Sequence, residues 1–154
     1  MKQIKHSLVY ILLLLAVLML SACGKITETM IDGYYTAEMA DFDSHGWKEI
    51  LTIYVKESII VSVDYEASNR SGFIKSWDMD YMREMNATDG IYPNKYVRLY
   101  SEALLNYQSP EKVQAITGAT HSYDTFQKLA TAALEHARDG NTNVAYVEIV
   151  ETAE

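Results

Sequence analysis

A chain of 154 residues has room for one domain, and 49% hydrophobic with 22% charged residues excludes a wholly disordered protein. Seven Gly and two Pro exclude collagen-like and low-complexity classes. The 13 basic and 21 acidic residues give a formal charge of −8, unlike the basic face of a nucleic-acid binder, and one Cys excludes an intrachain disulfide or a Cys-built metal centre.

The first segment reads as a targeting signal. Lys2 and Lys5 precede an apolar run over residues 8–20, which exits through Leu20-Ser21-Ala22-Cys23. That run is too short for a comfortable membrane span, and its basic start and small-residue exit make a secretory signal peptide. The exit resembles the bacterial lipobox. The resemblance implies that Cys23 is lipidated, with palmitate-type acyl chains, and becomes the mature N-terminus. The protein is then expected at the cell membrane, lipid-anchored on its extracytoplasmic face. Each buried methylene of such an anchor contributes about 0.8 kcal/mol. The expected organisation is a lipoprotein signal peptide over 1–22, a tether over 23–31 and one folded domain over 32–150.

Within that domain, residues 33–40 alternate with Tyr35, Ala37 and Met39 on one face, which predicts a strand. Residues 50–55 and 59–65 are β-branched and separated by Lys56-Glu57-Ser58, a hairpin pattern without the favoured Asn-Gly. A short helix is predicted over 76–85, capped by Ser76, with Asp78 and Asp80 in its first turn. Asp89-Gly90 ends it. Pro93 opens a longer helix over 93–107 with a stripe of Tyr96, Leu99, Tyr100, Ala103, Leu104 and Tyr107. Residues 112–116 are expected as a short strand and 117–120 as a turn. A helix over 122–138 places Phe126, Leu129, Ala130, Ala133 and Ala137 at helical spacing, and residues 143–150 suggest a final strand. The order predicts a single α+β domain, an antiparallel sheet with helices packed on one face.

The segment Thr117-Gly118-Ala119-Thr120-His121-Ser122 carries the most chemistry. Small residues let the backbone approach a ligand, and the first N–H groups of a helix favour an anion. The hydroxyls of Thr117, Thr120 and Ser122 and the ring of His121 add donors. A plain helix start explains the same residues, so the pattern alone leaves both readings open.

Thr117-Gly118-Ala119-Thr120 before a helix resembles the Ser/Thr-Gly-Ala-Thr motif of the FMN-binding domain family. That family includes the C subunit of the sodium-translocating NADH:quinone reductase, the G subunit of the Rnf complex and small extracellular electron-transfer lipoproteins. Asp32-Gly33-Tyr34-Tyr35-Thr36-Ala37, Asp43-Ser44-His45-Gly46-Trp47-Lys48, Lys75-Ser76 with Asp78, Tyr81 and Met85, and Tyr92-Pro93 resemble further family segments, in the family's order. The resemblance spans about residues 32–140. It implies FMN as cofactor, with Thr120 as the residue that a flavin transferase would link to the phosphate. It also implies a membrane electron donor as a partner. Gln114 stands where modifiable members usually carry Asp, so weak or absent covalent loading is expected. Tyr123 stands where a small hydroxyl residue is common.

His45 and Trp47 are candidates to line the isoalloxazine ring, and His121 to hydrogen-bond the phosphate; a packed loop and a solvated helix start are the plainer alternatives. His136 sits where it complements a helix dipole. Tyr96, Tyr100 and Tyr107 read as core, and Asp78 and Asp80 as helix-start acids. No catalytic residue and no metal site is assigned. Two functions compete: an electron-transfer flavoprotein, rather than a stand-alone catalyst, and a non-redox binding lipoprotein that keeps the fold without covalent flavin.

Overall fold

The structure is a computed structural model, and residues 29–148 are described. The signal peptide, Cys23 and most of the tether lie outside them, as do the last residues of the predicted final strand.

Three antiparallel strands form first. β1 (Gly33–Met39) buries Tyr35, Ala37 and Met39, as its alternation predicts. β2 (Trp47–Lys56) and β3 (Ile59–Asn69) are longer than expected and extend the hairpin at its open end. β2 buries Trp47, Glu49, Leu51, Ile53 and Val55, every second residue. β4 (Ala145–Val147) pairs parallel with β1, Ala37 opposite Ala145, and completes a sheet of order β3-β2-β1-β4. The domain is α+β and its sheet mostly antiparallel; β4 alone runs parallel to its neighbour.

Glu57 and Ser58 both have φ near +60° (54° and 60°), so the two-residue hairpin turn takes the left-handed form at both centres without Asn-Gly. Two long-range bonds hold it: Glu57 N–H donates to Asp32 Oδ1 at 2.7 Å, and Ser58 Oγ donates to the Met30 carbonyl at 2.9 Å. Glu57→Asn keeps the backbone bond and relieves the conformational strain. It is expected to raise stability by about 0.5–1 kcal/mol in chemical denaturation.

After a single 3₁₀ turn at Lys75–Trp77, three helices follow: α1 (Met79–Asp89), α2 (Pro93–Tyr107) and α3 (Thr120–Asp139). α1 starts three residues later than predicted. Its cap is Asp78, whose carboxylate accepts from Tyr81 N–H at 3.0 Å, not Ser76. Asp80 pairs with Arg83 on the exposed face at 3.0 Å. α2 begins at Pro93 as predicted. It buries Tyr96, Tyr100 and Leu104, but Leu99 and Tyr107 remain exposed, so the expected stripe is narrower than drawn. α3 lies across β1 and β2 and buries Phe126, Leu129, Ala130, Ala133 and Ala137.

The core is aromatic where α2 and α3 meet the sheet. Phe126 stacks on Tyr100 at 5.1 Å and meets Tyr65 edge-on at 5.2 Å. Residues 113–116 are not a strand, contrary to expectation. A 3₁₀ turn at Pro110–Lys112 leads into irregular chain, and side chains serve its backbone. Tyr123 Oη donates to the Val113 carbonyl at 3.1 Å, and Gln127 Nε2 donates to the Pro110 carbonyl at 2.8 Å. Val113 is buried beneath these contacts.

Candidate functional site

The turn at 117–118 is built by one glycine and one tyrosine. Ala119 N–H donates to the Ile116 carbonyl at 2.9 Å across Thr117-Gly118, and Gly118 has φ +81°. Positive φ at the third position is the mark of a type II turn, where glycine is favoured. A Cβ on Gly118 would also lie 2.8 Å from both the Asp89 carbonyl oxygen and Ile91 Cγ2. The turn is therefore pressed against the end of α1. From the other side, Tyr100 Oη accepts from Ile116 N–H at 3.1 Å and donates to the Ala119 carbonyl at 3.1 Å. One buried phenol thus clamps both ends of the turn.

α3 starts directly from this clamp. Ala119 is its cap residue and supplies no side-chain cap; Tyr123 N–H makes the first helical bond, to the Ala119 carbonyl at 3.0 Å. The N–H groups of Thr120, His121 and Ser122 find no acceptor among the described residues. Thr120 and His121 are exposed, and Ser122 is buried. Unpaired N–H groups at a helix start, with the exposed Thr120 hydroxyl beside them, suit an anion such as a phosphate. Gln114 is also exposed, in the loop that leads to the clamp.

Behind the helix start lies a buried polar cluster that the sequence reading missed. Glu49, on the inward face of β2, is 3% exposed. Tyr65 Oη lies 2.5 Å from Glu49 Oε2 and 3.1 Å from the Ser122 carbonyl oxygen. A carbonyl only accepts, and one phenolic proton cannot serve two acceptors. Both contacts are satisfied when Glu49 is protonated and donates to Tyr65, which donates to Ser122. Burial pushes the Glu49 carboxyl up from 4.5 to about 7, while hydrogen bonds that Tyr65 and Ser122 would give the ionised form, and the Lys75 charge, act the other way. Burial likewise pushes the Tyr65 phenol well above its ordinary value.

Lys75 joins the cluster from the 3₁₀ turn. Its ammonium lies 5.6 Å from the Trp47 ring centre and 5.5 Å from that of Tyr81. Burial pushes its pKa down, while Glu49, Asp43 and Glu66 act the other way. Its neighbour Ser76 donates to Glu66. The signal for Glu49 was present in the sequence: Trp47, Glu49, Leu51, Ile53 and Val55 share one face of a strand, so an acid there faces the core. Lys75 carried no comparable periodic signal, because it sits in a short irregular turn.

The predicted site residues divide accordingly. Thr117, Gly118, Ala119, Thr120, His121 and Ser122 form one continuous turn and helix start. Trp47 joins the cluster behind it, against Tyr81 at 6.1 Å. His45 stays exposed in the β1–β2 turn, where its N–H donates to Asp43 Oδ1 at 2.9 Å. His136 lies in the last turn of α3, its Nδ1 3.0 Å from the Asn143 carbonyl oxygen. A cavity of about 360 Å³ between β3 and α2, lined in part by Asp64, Glu66, Trp77 and Arg98, contains none of the predicted residues. Among the described residues, no helix is long and apolar enough to cross a membrane, and no group of His, Cys, Asp or Glu is placed to hold a metal ion.

Fold and site together define a small α+β protein with a pinned, donor-rich helix start over a buried polar cluster. The chain is 41% identical over 128 residues to the 15 kDa lipoprotein of Treponema pallidum (strain Nichols), covering 83% of this chain and 89% of that protein. It belongs to the family of that lipoprotein. The crystal structure of a Clostridium perfringens protein, 36% identical, superposes with a TM-score of 0.77 over 79% of this chain and 100% of that one. No family model matches the chain.

Proposed function

We propose that the protein is a lipid-anchored FMN-binding protein that carries electrons between a membrane donor and an external acceptor. The observation that carries this reading is the trio of unpaired N–H groups at Thr120, His121 and Ser122, set beside an exposed Thr120 hydroxyl on a clamped turn. The Thr117-Gly118-Ala119-Thr120 resemblance supports FMN as the group whose phosphate sits there. Anchoring through Cys23 is supported by the lipobox-like exit and by the name of the Treponema pallidum relative. A bound flavin supplies one- and two-electron transfer; the chain's part is to hold and orient it.

In this reading the Thr120–Ser122 N–H groups bind the phosphate, and the Thr120 hydroxyl is the covalent site when a flavin transferase acts. Gln114 is exposed, where another protein can read it, but it lacks the charge of the expected acid. Intact-mass spectrometry of protein made with the transferase tests this. The native sequence is expected to load weakly or not at all, and Gln114→Asp to load more. Thr120→Ala should carry no adduct, because no oxygen remains to bear the phosphoester. It should weaken noncovalent binding modestly, since the backbone donors persist. An adduct that survives in Thr120→Ala overturns the assignment. Gln114 also favours a second reading, a binding lipoprotein without redox function. Absence of flavin absorption in protein purified from its native host would select it.

A further inference from the structure

Lys75 is the one buried cation among the described residues, 6% exposed, and its ammonium has neither a hydrogen bond nor an ion pair within 4 Å among them. Lys48 shows the ordinary alternative, paired with Glu38 at 2.8 Å. Two aromatic faces, Trp47 and Tyr81, attract the Lys75 charge but accept none of its N–H bonds properly. Glu49 neutralises it only in part near neutral pH, because burial raises the carboxyl to about 7, and no Lys75–Glu49 ion pair lies within 4 Å. No fully buried side-chain N or O atom lacks a partner among the described residues, so the Lys75 ammonium keeps an opening to solvent. A buried lysine with unspent donors burdens the fold, and an apolar residue of similar length would pack the same space without that burden. Buried charges of this kind cluster at functional sites.

The ligand's chemistry follows from the division of labour in the site. The phosphate already has the N–H groups of Thr120, His121 and Ser122. Lys75 belongs to a different part of the cluster, between the Trp47 and Tyr81 rings, which themselves lie 6.1 Å apart. What it lacks is a hydrogen-bond acceptor, and the surfaces beside it are aromatic. We propose that Lys75 holds the carbonyl-bearing edge of the flavin ring, with Trp47 and Tyr81 supplying the aromatic surface beside it. This inference rests on the FMN reading above.

The test is titration of the mature apoprotein with FMN and with riboflavin, which has the ring but no phosphate, followed by flavin fluorescence. Thermal melting of each apoprotein is recorded alongside. Lys75→Met is expected to weaken both ligands about tenfold or more, by a similar factor, and to melt no lower than the native protein. Lys75→Arg, which keeps the charge and donors, should recover part of the affinity. Loss of FMN affinity with riboflavin unchanged would assign Lys75 to the phosphate and overturn the proposal. Unchanged binding of both would remove Lys75 from the site, and a lower melting temperature for Lys75→Met would make it a structural lysine. A native protein that binds neither ligand overturns the FMN reading itself, and this inference with it.

Discussion

Gly118→Ala should destabilise the protein by about 2–5 kcal/mol and displace the start of α3. Two separate effects add. A left-handed conformation costs a non-glycine residue about 1–2 kcal/mol, and Gly118 has φ +81°. The new Cβ would also sit 2.8 Å from the Asp89 carbonyl oxygen and from Ile91 Cγ2, an overpacking of the kind that costs about 1–3 kcal/mol. Gly90→Ala is the internal control. Gly90 has φ +69°, but nothing lies within 4 Å of a Cβ there, so it incurs the conformational effect alone. Urea denaturation of both variants separates the terms. Equal losses would show that the turn yields to the methyl group and that Tyr100, not packing against α1, holds it in place.

Glu49→Gln should change the pH dependence of stability more than stability itself. The folded-state pKa of Glu49 is raised, from 4.5 to about 7. The folded state therefore binds the proton more tightly than the unfolded chain does. Its contribution is full below pH 4.5 and is lost as pH rises through about 7, for a total of about 3 kcal/mol. Gln is nearly isosteric and its amide donates to Tyr65 Oη, which leaves the phenolic proton for the Ser122 carbonyl. It mimics the protonated acid at every pH. The variant and the native protein should have similar stability at pH 5, and the variant should be the more stable at pH 8. Parallel curves across that range would show that the Glu49 carboxyl titrates alike in the folded and unfolded states.

The two sites differed in how readable they were. The turn at 117–120 announced itself through small residues and hydroxyls before a helix, a purely local pattern. The polar cluster did not, because it joins β2, β3, the 3₁₀ turn and α3 across long stretches of chain. Glu49 was marked by its inward parity in β2, but Tyr65 lies 16 residues after it and Ser122 a further 57 residues on. Tyr100 read correctly as a core residue, yet its phenol also clamps a turn that begins 16 residues later. Position on the α2 stripe marked Tyr100 for burial, and only packing gave its hydrogen bonds.

By itself the sequence determined whatever depends on near neighbours. Two-residue alternation set β1, β-branched composition around a short turn set the β2–β3 hairpin, and the 3.6-residue stripe set α3. Pro93 set the start of α2, and the small-residue turn set the approach to α3. Tertiary structure decided what depends on where free partners lie. Residues 113–116 have strand composition but no ladder, because Tyr100, Tyr123 and Gln127 already serve the backbone of this loop. β4 runs parallel to β1 because it takes the sheet edge left open beside β1, entering from the end of α3. Hydrogen-bond capacity is finite and local sequence does not say who claims it first; the packed chain does.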